Sequence, residues 1–282
     1  MKILIAVLTL SCAILVCAAL ATRREASPPT ATAAATLEPF DGKRAPVIVE
    51  LFTSEGCSSC PPADRVLAQL DETQPIAGVE VIALSEHVDY WNYIGWADPF
   101  SSAAFSARQE AYARAFGREG IYTPQMVVDG QAEFVGSNLS KAREAIAKAA
   151  RAPKAGVRIN PTKSSSEKGA NAIRLSVSVS DVPSISQGDV AEALLAITEN
   201  NLSSQVARGE NGGRRLAHSA VVRELRALGG IDAATKSFTG ETTVVIGGGW
   251  KRDDLRVVVF VQERAHRRVL GAASVKLAGS AN

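Results

Sequence analysis

Cys57 and Cys60 stand two residues apart in the stretch Val47-Ile-Val-Glu-Leu-Phe-Thr-Ser-Glu-Gly-Cys-Ser-Ser-Cys-Pro-Pro-Ala-Asp64. A pair with this spacing serves redox exchange, half of a zinc site, or structure. Zinc requires four nitrogen or sulfur ligands. Beyond the pair, and apart from Cys12 and Cys17 in the apolar N-terminal run, the chain offers only His87, His218 and His266, and no second C-x-x-C. Redox exchange therefore leads. The chemistry depends on where the sulfurs sit. Proline is tolerated in the first turn of a helix, where its missing N–H would have had no partner. Pro61-Pro62 thus predict a helix from about Pro61 to Leu70, with both sulfurs at its N-terminus. The helix dipole favours a thiolate there and depresses the thiol pKa. Cys57, taken as the more exposed sulfur, meets the partner; Cys60, one turn deeper, resolves the mixed disulfide.

Composition sets the compartment. The 282 residues suffice for two modest domains, with 46% hydrophobic residues, 21% charged and a net charge of +2. Lys and Arg are scattered, which argues against a nucleic-acid or membrane-binding face. Met1-Lys2, an apolar run from Ile3 to Leu20 and Ala19-Leu-Ala21 read as a secretory signal peptide over residues 1–21. Arg23-Arg24 leave an uncleaved anchor as the alternative. Cleavage removes Cys12 and Cys17, so the exported chain keeps only Cys57 and Cys60. A single close pair is no disulfide framework and constrains the unfolded chain little. Residues 22–45, rich in Ala, Thr and Pro, read as a linker.

The positioning elements follow in order. Val47–Phe52 and Val79–Leu84 read as strands flanking the first helix, a parallel right-handed unit. That topology brings Ser85-Glu-His87-Val-Asp89 out beside the cysteines. Tyr90 to Phe116 is rich in aromatics; a helix is expected from Pro99 to Phe116 with Asp98 as its cap, while Tyr90, Trp91 and Trp96 could edge a substrate groove. Ile121–Val128, the turn Asp129-Gly130 and Glu133–Val135 form a hairpin, and Ser137 or Asn138 caps a helix from Leu139 to about Arg151.

This order, with Cys57-Ser-Ser-Cys60 and Thr123-Pro124, resembles the thioredoxin fold over roughly Arg44 to Arg151. The resemblance implies Cys57 as nucleophile, Cys60 as resolving thiol and Pro124 as a cis-proline abutting the disulfide, with Thr123, Tyr90 and Trp91 on the substrate side. The longer pattern is more specific. Glu50 to Asp64, His87-Val-Asp-Tyr-Trp91, Gly95-Trp-Ala-Asp-Pro-Phe-Ser101 and Tyr122-Thr-Pro-Gln125 resemble a family of secreted bacterial thioredoxin-like proteins, a domain of unknown function numbered twelve twenty-three. That family implies the fold and carries no activity in its name. Thioredoxin-like copper chaperones use two thiolates and a histidine, so Cys57, Cys60 and His87 form the alternative copper set. No aromatic residue precedes Cys57, and Ser-Ser replaces the usual Gly-Pro between the cysteines. Two hydroxyls able to donate to a thiolate would make the pair more oxidising.

The second half changes texture. Pro153 to Ala170 reads as a boundary and loop. Ile173–Val179 alternates as a half-buried strand does, and Val190–Thr198, Glu241–Ile246, Leu255–Gln262 and Ala273–Leu277 are further strands. One helix is expected at Ser219–Leu228. Glu55 and Asp64 flank the dithiol, as acids at helix starts often do. Gly209-Glu-Asn-Gly-Gly-Arg-Arg215 lacks phosphate-loop spacing and reads as a hairpin loop, and Gly247-Gly-Gly-Trp250 as a turn.

The expected architecture is therefore an α/β thioredoxin-like domain with a helical insertion, residues 46–152, and an antiparallel β-rich, sandwich-like accessory domain, residues 153–282. The expected function is extracytoplasmic thiol–disulfide oxidoreductase, periplasmic or secreted. Its cofactor is the Cys57–Cys60 disulfide itself, with copper as the alternative. Its partners are protein thiols or disulfides and a redox partner protein, without nucleic acid, and with a membrane only through an uncleaved anchor. A non-catalytic binding module is the remaining reading.

Overall fold

The structure, a computed structural model, describes residues 44–162 and 172–277. The expected signal peptide, and the linker apart from Arg44 and Ala45, lie outside the described residues. No helix among the described residues is long and apolar enough to cross a membrane.

The chain runs β1 (Ala45–Thr53), α1 (Pro61–Thr73), β2 (Val79–His87), α2 (Ala103–Ala115), β3 (Gln125–Val128), β4 (Ala132–Val135) and α3 (Leu139–Ala149). Then follow β5 (Gly156–Thr162), β6 (Ala172–Ser180), β7 (Ala191–Glu199), β8 (Leu202–Gln205), β9 (Arg215–His218), β10 (Val221–Gly230), β11 (Phe238–Val245), β12 (Leu255–Glu263) and β13 (Val269–Lys276). Eight strands form one mixed sheet in the order β13-β12-β7-β10-β2-β1-β3-β4. β5, β6 and β11 make a second sheet, and β8 and β9 a hairpin.

β1 and β2 are parallel in register from Ala45↔Val79 to Thr53↔His87. Their odd-numbered residues, Val47, Val49, Leu51, Val79, Val81 and Ala83, pack under Leu67 and Leu70 of α1 and Ile146 of α3. Farther along that face the three-stranded sheet covers Leu195 and Ile197 of β7 and Val257 and Val259 of β12. The opposite face gathers Ile48, Ile82, Leu84, Leu194 and Phe260 against Phe105 of α2. The β3–β4 turn has Asp129 at φ 48° and Gly130 at φ 64°, the mirrored geometry that favours Asp-Gly.

This architecture corrects the expected α/β thioredoxin-like domain with a separate sandwich-like domain. Strand makes up 42% of the described residues and helix 19%, and strands from both halves of the chain share the large sheet. The physical reason is the edge of β2, which would otherwise present unpaired backbone groups. β10 meets that edge at one point, Val221 opposite Ser85, where the Ser85 amide donates to Ala220 O at 2.8 Å. β7 and β12 then lie interior, each buried at all but one position, whereas an exposed sandwich strand would alternate.

Two local expectations also change. The helix expected at Ser219–Leu228 is strand β10. Register shifts at Val222/Glu224 and Ala227/Gly229 interrupt its two-residue alternation and leave a spacing that imitates a helix. α2 begins at Ala103, capped by the Ser102 hydroxyl, because Asp98 is engaged elsewhere.

α2 carries Arg108 into the sheet. Its Nε donates to Glu50 at 2.6 Å and lies 3.3 Å from Glu86. Tyr112 donates to Glu50 as well. Both carboxyls are fully buried. Burial pushes the Glu86 carboxyl well up, with Arg108 opposing and the Glu50 charge adding; Glu50 itself is held low by Arg108 against its burial. The protonated Glu86 therefore contributes stability that is fully present below the ordinary carboxyl value, about 4.3. That contribution is lost as pH rises from there through the raised folded value. Glu86→Gln keeps the neutral shape. Its unfolding free energy should exceed that of the parent by roughly 1–3 kcal/mol at alkaline pH, with no gain at pH 4; denaturant titrations at the two pH values check this.

Candidate functional site

β1 ends at Thr53, and the chain turns through Ser54-Glu55-Gly56 into the cysteines. Gly56 is required by a close approach, since a Cβ there would lie 3.1 Å from Trp91 Cβ and 3.4 Å from Ile94 Cδ1. The Cys57 amide donates to Ser54 O and the Cys60 amide to Cys57 O. Cys57 and Cys60 are joined by a disulfide, with Cα atoms 5.4 Å apart. Pro61 and Pro62 open α1 immediately after. Ser58 and Ser59 are exposed, while both cysteines are fully buried. This corrects the expectation that Cys57 is the more exposed sulfur. Ser59 Oγ lies 3.4 Å from Cys57 Sγ, so one of the two hydroxyls does reach this sulfur.

The Thr123–Pro124 peptide is cis. A Cβ built on Gly136 would lie 3.0 Å from Ala63 Cβ and 3.6 Å from Pro124 Cβ, which sets Pro124 beside the first turn of α1. The Trp91 indole donates to the Thr123 hydroxyl at 2.8 Å, joining two of the expected substrate-side residues. The third, Tyr90, donates through its hydroxyl to Gln109 of α2 at 3.0 Å, and the same hydroxyl interacts with the Thr123 side chain.

Beneath the dithiol turn lies a buried polar cluster whose extent is not apparent from spacing. His87 Nδ1 is 2.7 Å from Asp98 Oδ2, and the same oxygen accepts the Glu55 amide at 2.9 Å. Glu55 accepts from the Trp96 indole at 2.7 Å and is 2.8 Å from His218 Nε2 of β9. The His87 and His218 rings meet at 4.9 Å between centroids, both against Phe100. Asp64 of α1 accepts from the Thr53 hydroxyl at 2.7 Å. Burial pushes the Asp64 carboxyl up, and the pull of His87 and His218 does not cancel it.

The loop between β8 and β9 closes over the motif. Asn211, itself fully buried, donates through Nδ2 to Glu55 O and Cys57 O, both at 2.9 Å. The neighbouring Glu210 accepts the Ser58 amide at 2.9 Å, and Arg214 holds Asn211 Oδ1 at 2.8 Å. Neither this loop, expected as a plain hairpin, nor Asp98, expected as a helix cap, nor His218 carries a local sequence signal of these contacts. The glycines and arginines of the loop were visible, but their contact with residues some 150 positions earlier was not.

Of the alternative copper set, Cys57 and Cys60 are joined in the disulfide and His87 is engaged by Asp98. Among the described residues the only cluster bringing three His, Cys, Asp or Glu ligand atoms within 4.8 Å of one another is Asp189, Glu263 and His266. That cluster is a loop staple, with Asp189 accepting the amides of Val190, Ala265 and His266.

A family model matches residues 48–262, spanning the dithiol, the buried cluster and the covering loop. The chain belongs to the family DUF1223, proteins of unknown function. No curated protein matches it. Among solved structures it is similar to a structural-genomics protein of Agrobacterium tumefaciens, with 24% identity, a TM-score of 0.60, and coverage of 84% of this chain and 96% of that one. It is also similar to HBP35 of Porphyromonas gingivalis, with 17% identity, a TM-score of 0.61, and coverage of 85% and 78%. At these identities the likeness shows the fold alone.

The His87–Asp98 pair makes the site pH-dependent. Burial alone would lower the His87 value, but the Asp98 carboxylate more than reverses this and the imidazole is held above its ordinary range. Burial alone would raise Asp98, and His87 holds it below the ordinary range. The histidine contribution is full below about 6.5 and is lost as pH rises through the raised value. The aspartate contribution is present above about 3.9 and is lost as pH falls through the lowered value. Asp98→Asn should therefore destabilise the fold by about 1.5–3 kcal/mol between pH 4 and 6.5, the scale of a charged hydrogen bond, and by less at pH 9. Thermal unfolding across that range measures it.

Proposed function

We propose that the protein performs thiol–disulfide exchange on protein thiols outside the cytoplasm, with Cys57–Cys60 as its redox centre. The observation that carries this reading is the disulfide itself. It closes a loop with two residues between the cysteines and joins no distant elements, so it adds little as a staple. Cys57 and Cys60 are also the only cysteines that remain once the leader read at residues 1–21 is removed. The reading of residues 1–21 as a leader supports this, since exported proteins work where disulfides persist.

In the oxidising direction a substrate thiolate attacks Cys57 Sγ. The Cys57–Cys60 bond breaks, and Cys60 leaves as a thiolate. A second substrate thiolate then attacks the mixed disulfide at its substrate sulfur and releases Cys57, so the substrate gains a disulfide and the protein two reduced sulfurs. Reduction of a substrate disulfide is the same sequence reversed. The exposed Ser58-Ser59 step and the Trp91–Thr123 edge frame the approach, and Pro124 shapes the groove beside α1. Both sulfurs are buried, so exchange with a protein requires a local opening.

Cys60→Ser is the test. With the resolving sulfur gone, Cys57 should hold partner proteins in mixed disulfides that survive non-reducing electrophoresis and dissolve with dithiothreitol. Cys57→Ser should trap at least tenfold less. Equal trapping by both variants, or none by either, would contradict the assignment.

A further inference from the structure

The thiolate that exchange requires must be stabilised by donors near Cys57. The start of α1 is poor in them. Pro61 and Pro62 have no N–H, the Cys60 amide is bound to Cys57 O, and the amides of Ala63 and Asp64 both go to Cys60 O. The Ser58 amide, one peptide bond from Cys57, is a donor that a helix-start thiolate would use. It is taken by the carboxylate of Glu210, 2.9 Å away on the β8–β9 loop. The same loop is locked in place by Asn211 on the Glu55 and Cys57 carbonyls.

We propose that Glu210 is a positioning residue of the dithiol, reached from the second half of the chain, that occupies the Ser58 amide and sets a negative charge beside Cys57, disfavouring its thiolate and poising the pair toward reductant. The inference rests on the exchange reading of Cys57–Cys60 and adds to it the group that sets its reactivity. Ser59 acts in the opposite sense, since its hydroxyl lies 3.4 Å from Cys57 Sγ and can donate to a thiolate. The hydrogen bonds from the Ser58 side chain and amide hold the Glu210 carboxyl below its ordinary range, so the charge is present whenever the dithiol works. Oxidation removes the thiolate and relieves the conflict, which favours the disulfide form.

The experiment titrates Cys57 alone, in the Cys60→Ser background, by the pH dependence of its alkylation by iodoacetamide after chemical reduction. Glu210→Gln should shift the midpoint down by about half a unit to one unit, three- to tenfold more thiolate at a given pH, the scale of removing one neighbouring unit charge in a high-dielectric setting. Glu210→Lys should shift it further. Because Glu210 is solvated, the difference should shrink in 1 M salt, where the Debye length is about 3 Å. Asn211→Ala loosens the loop that positions Glu210, so it should shift the midpoint in the same direction, by less than Glu210→Gln, and that shift should also shrink in salt. In the two-cysteine protein Glu210→Gln should move the equilibrium constant with glutathione three- to tenfold toward oxidant, about 15–30 mV. Unchanged midpoints in both Glu210 variants would overturn the proposal. So would an Asn211→Ala shift of equal size that ignores salt. The alkylation arm needs no exchange partner, so it fails or succeeds independently of the exchange reading.

Discussion

One point of strand pairing, Val221 of β10 against Ser85 of β2, is the constraint on which the rest of the structure depends. It turns two halves of the chain into one sheet. The Ser85 amide donates to Ala220 O at 2.8 Å, so β10 starts beside the end of β2, two residues from His87. The β8–β9 hairpin immediately precedes β10 and is therefore delivered onto the dithiol turn. His218, Asn211 and Glu210 reach the motif because of that junction.

Charge is buried in this protein by pairing. His87 and His218 each face one carboxylate, Asp98 and Glu55, and those carboxylates also bind the backbone or the indole that shape the cysteine turn. An unpaired buried charge would be expensive, and each of these has a partner. On the far face Glu50 and Glu86 share Arg108, and the shortage of positive charge is met by protonation of Glu86. The buried His87–Asp98 bond is charge-assisted, and it is what makes the site pH-sensitive.

Much of the first half was legible. Pro61-Pro62 marked the start of α1, Asp129-Gly130 the hairpin turn, and Asn138 the cap of α3, because each is local chemistry read within a few residues. The aggregate fold was not. β7 and β12 are continuous apolar runs whose burial on both faces depends on which strands they join, and no local period encodes that choice. β10 misled through its two bulges. Of the candidate site, Cys57, Cys60, Trp91 and Thr123 were found from motif spacing and are brought near one another. Asp98, His218, Asn211 and Glu210 act across long sequence separations, and their residue types alone do not distinguish them from ordinary caps and loop residues.

The most direct measurement of the central claim is an equilibrium redox titration of the purified chain lacking residues 1–21, metal-free, with Cys57→Ser as the control. The account predicts a reversible two-electron transition between roughly −120 and −270 mV, the span of known exchange proteins, that disappears in the variant. A pair that stays oxidised below about −300 mV would mark a structural bond and contradict the account.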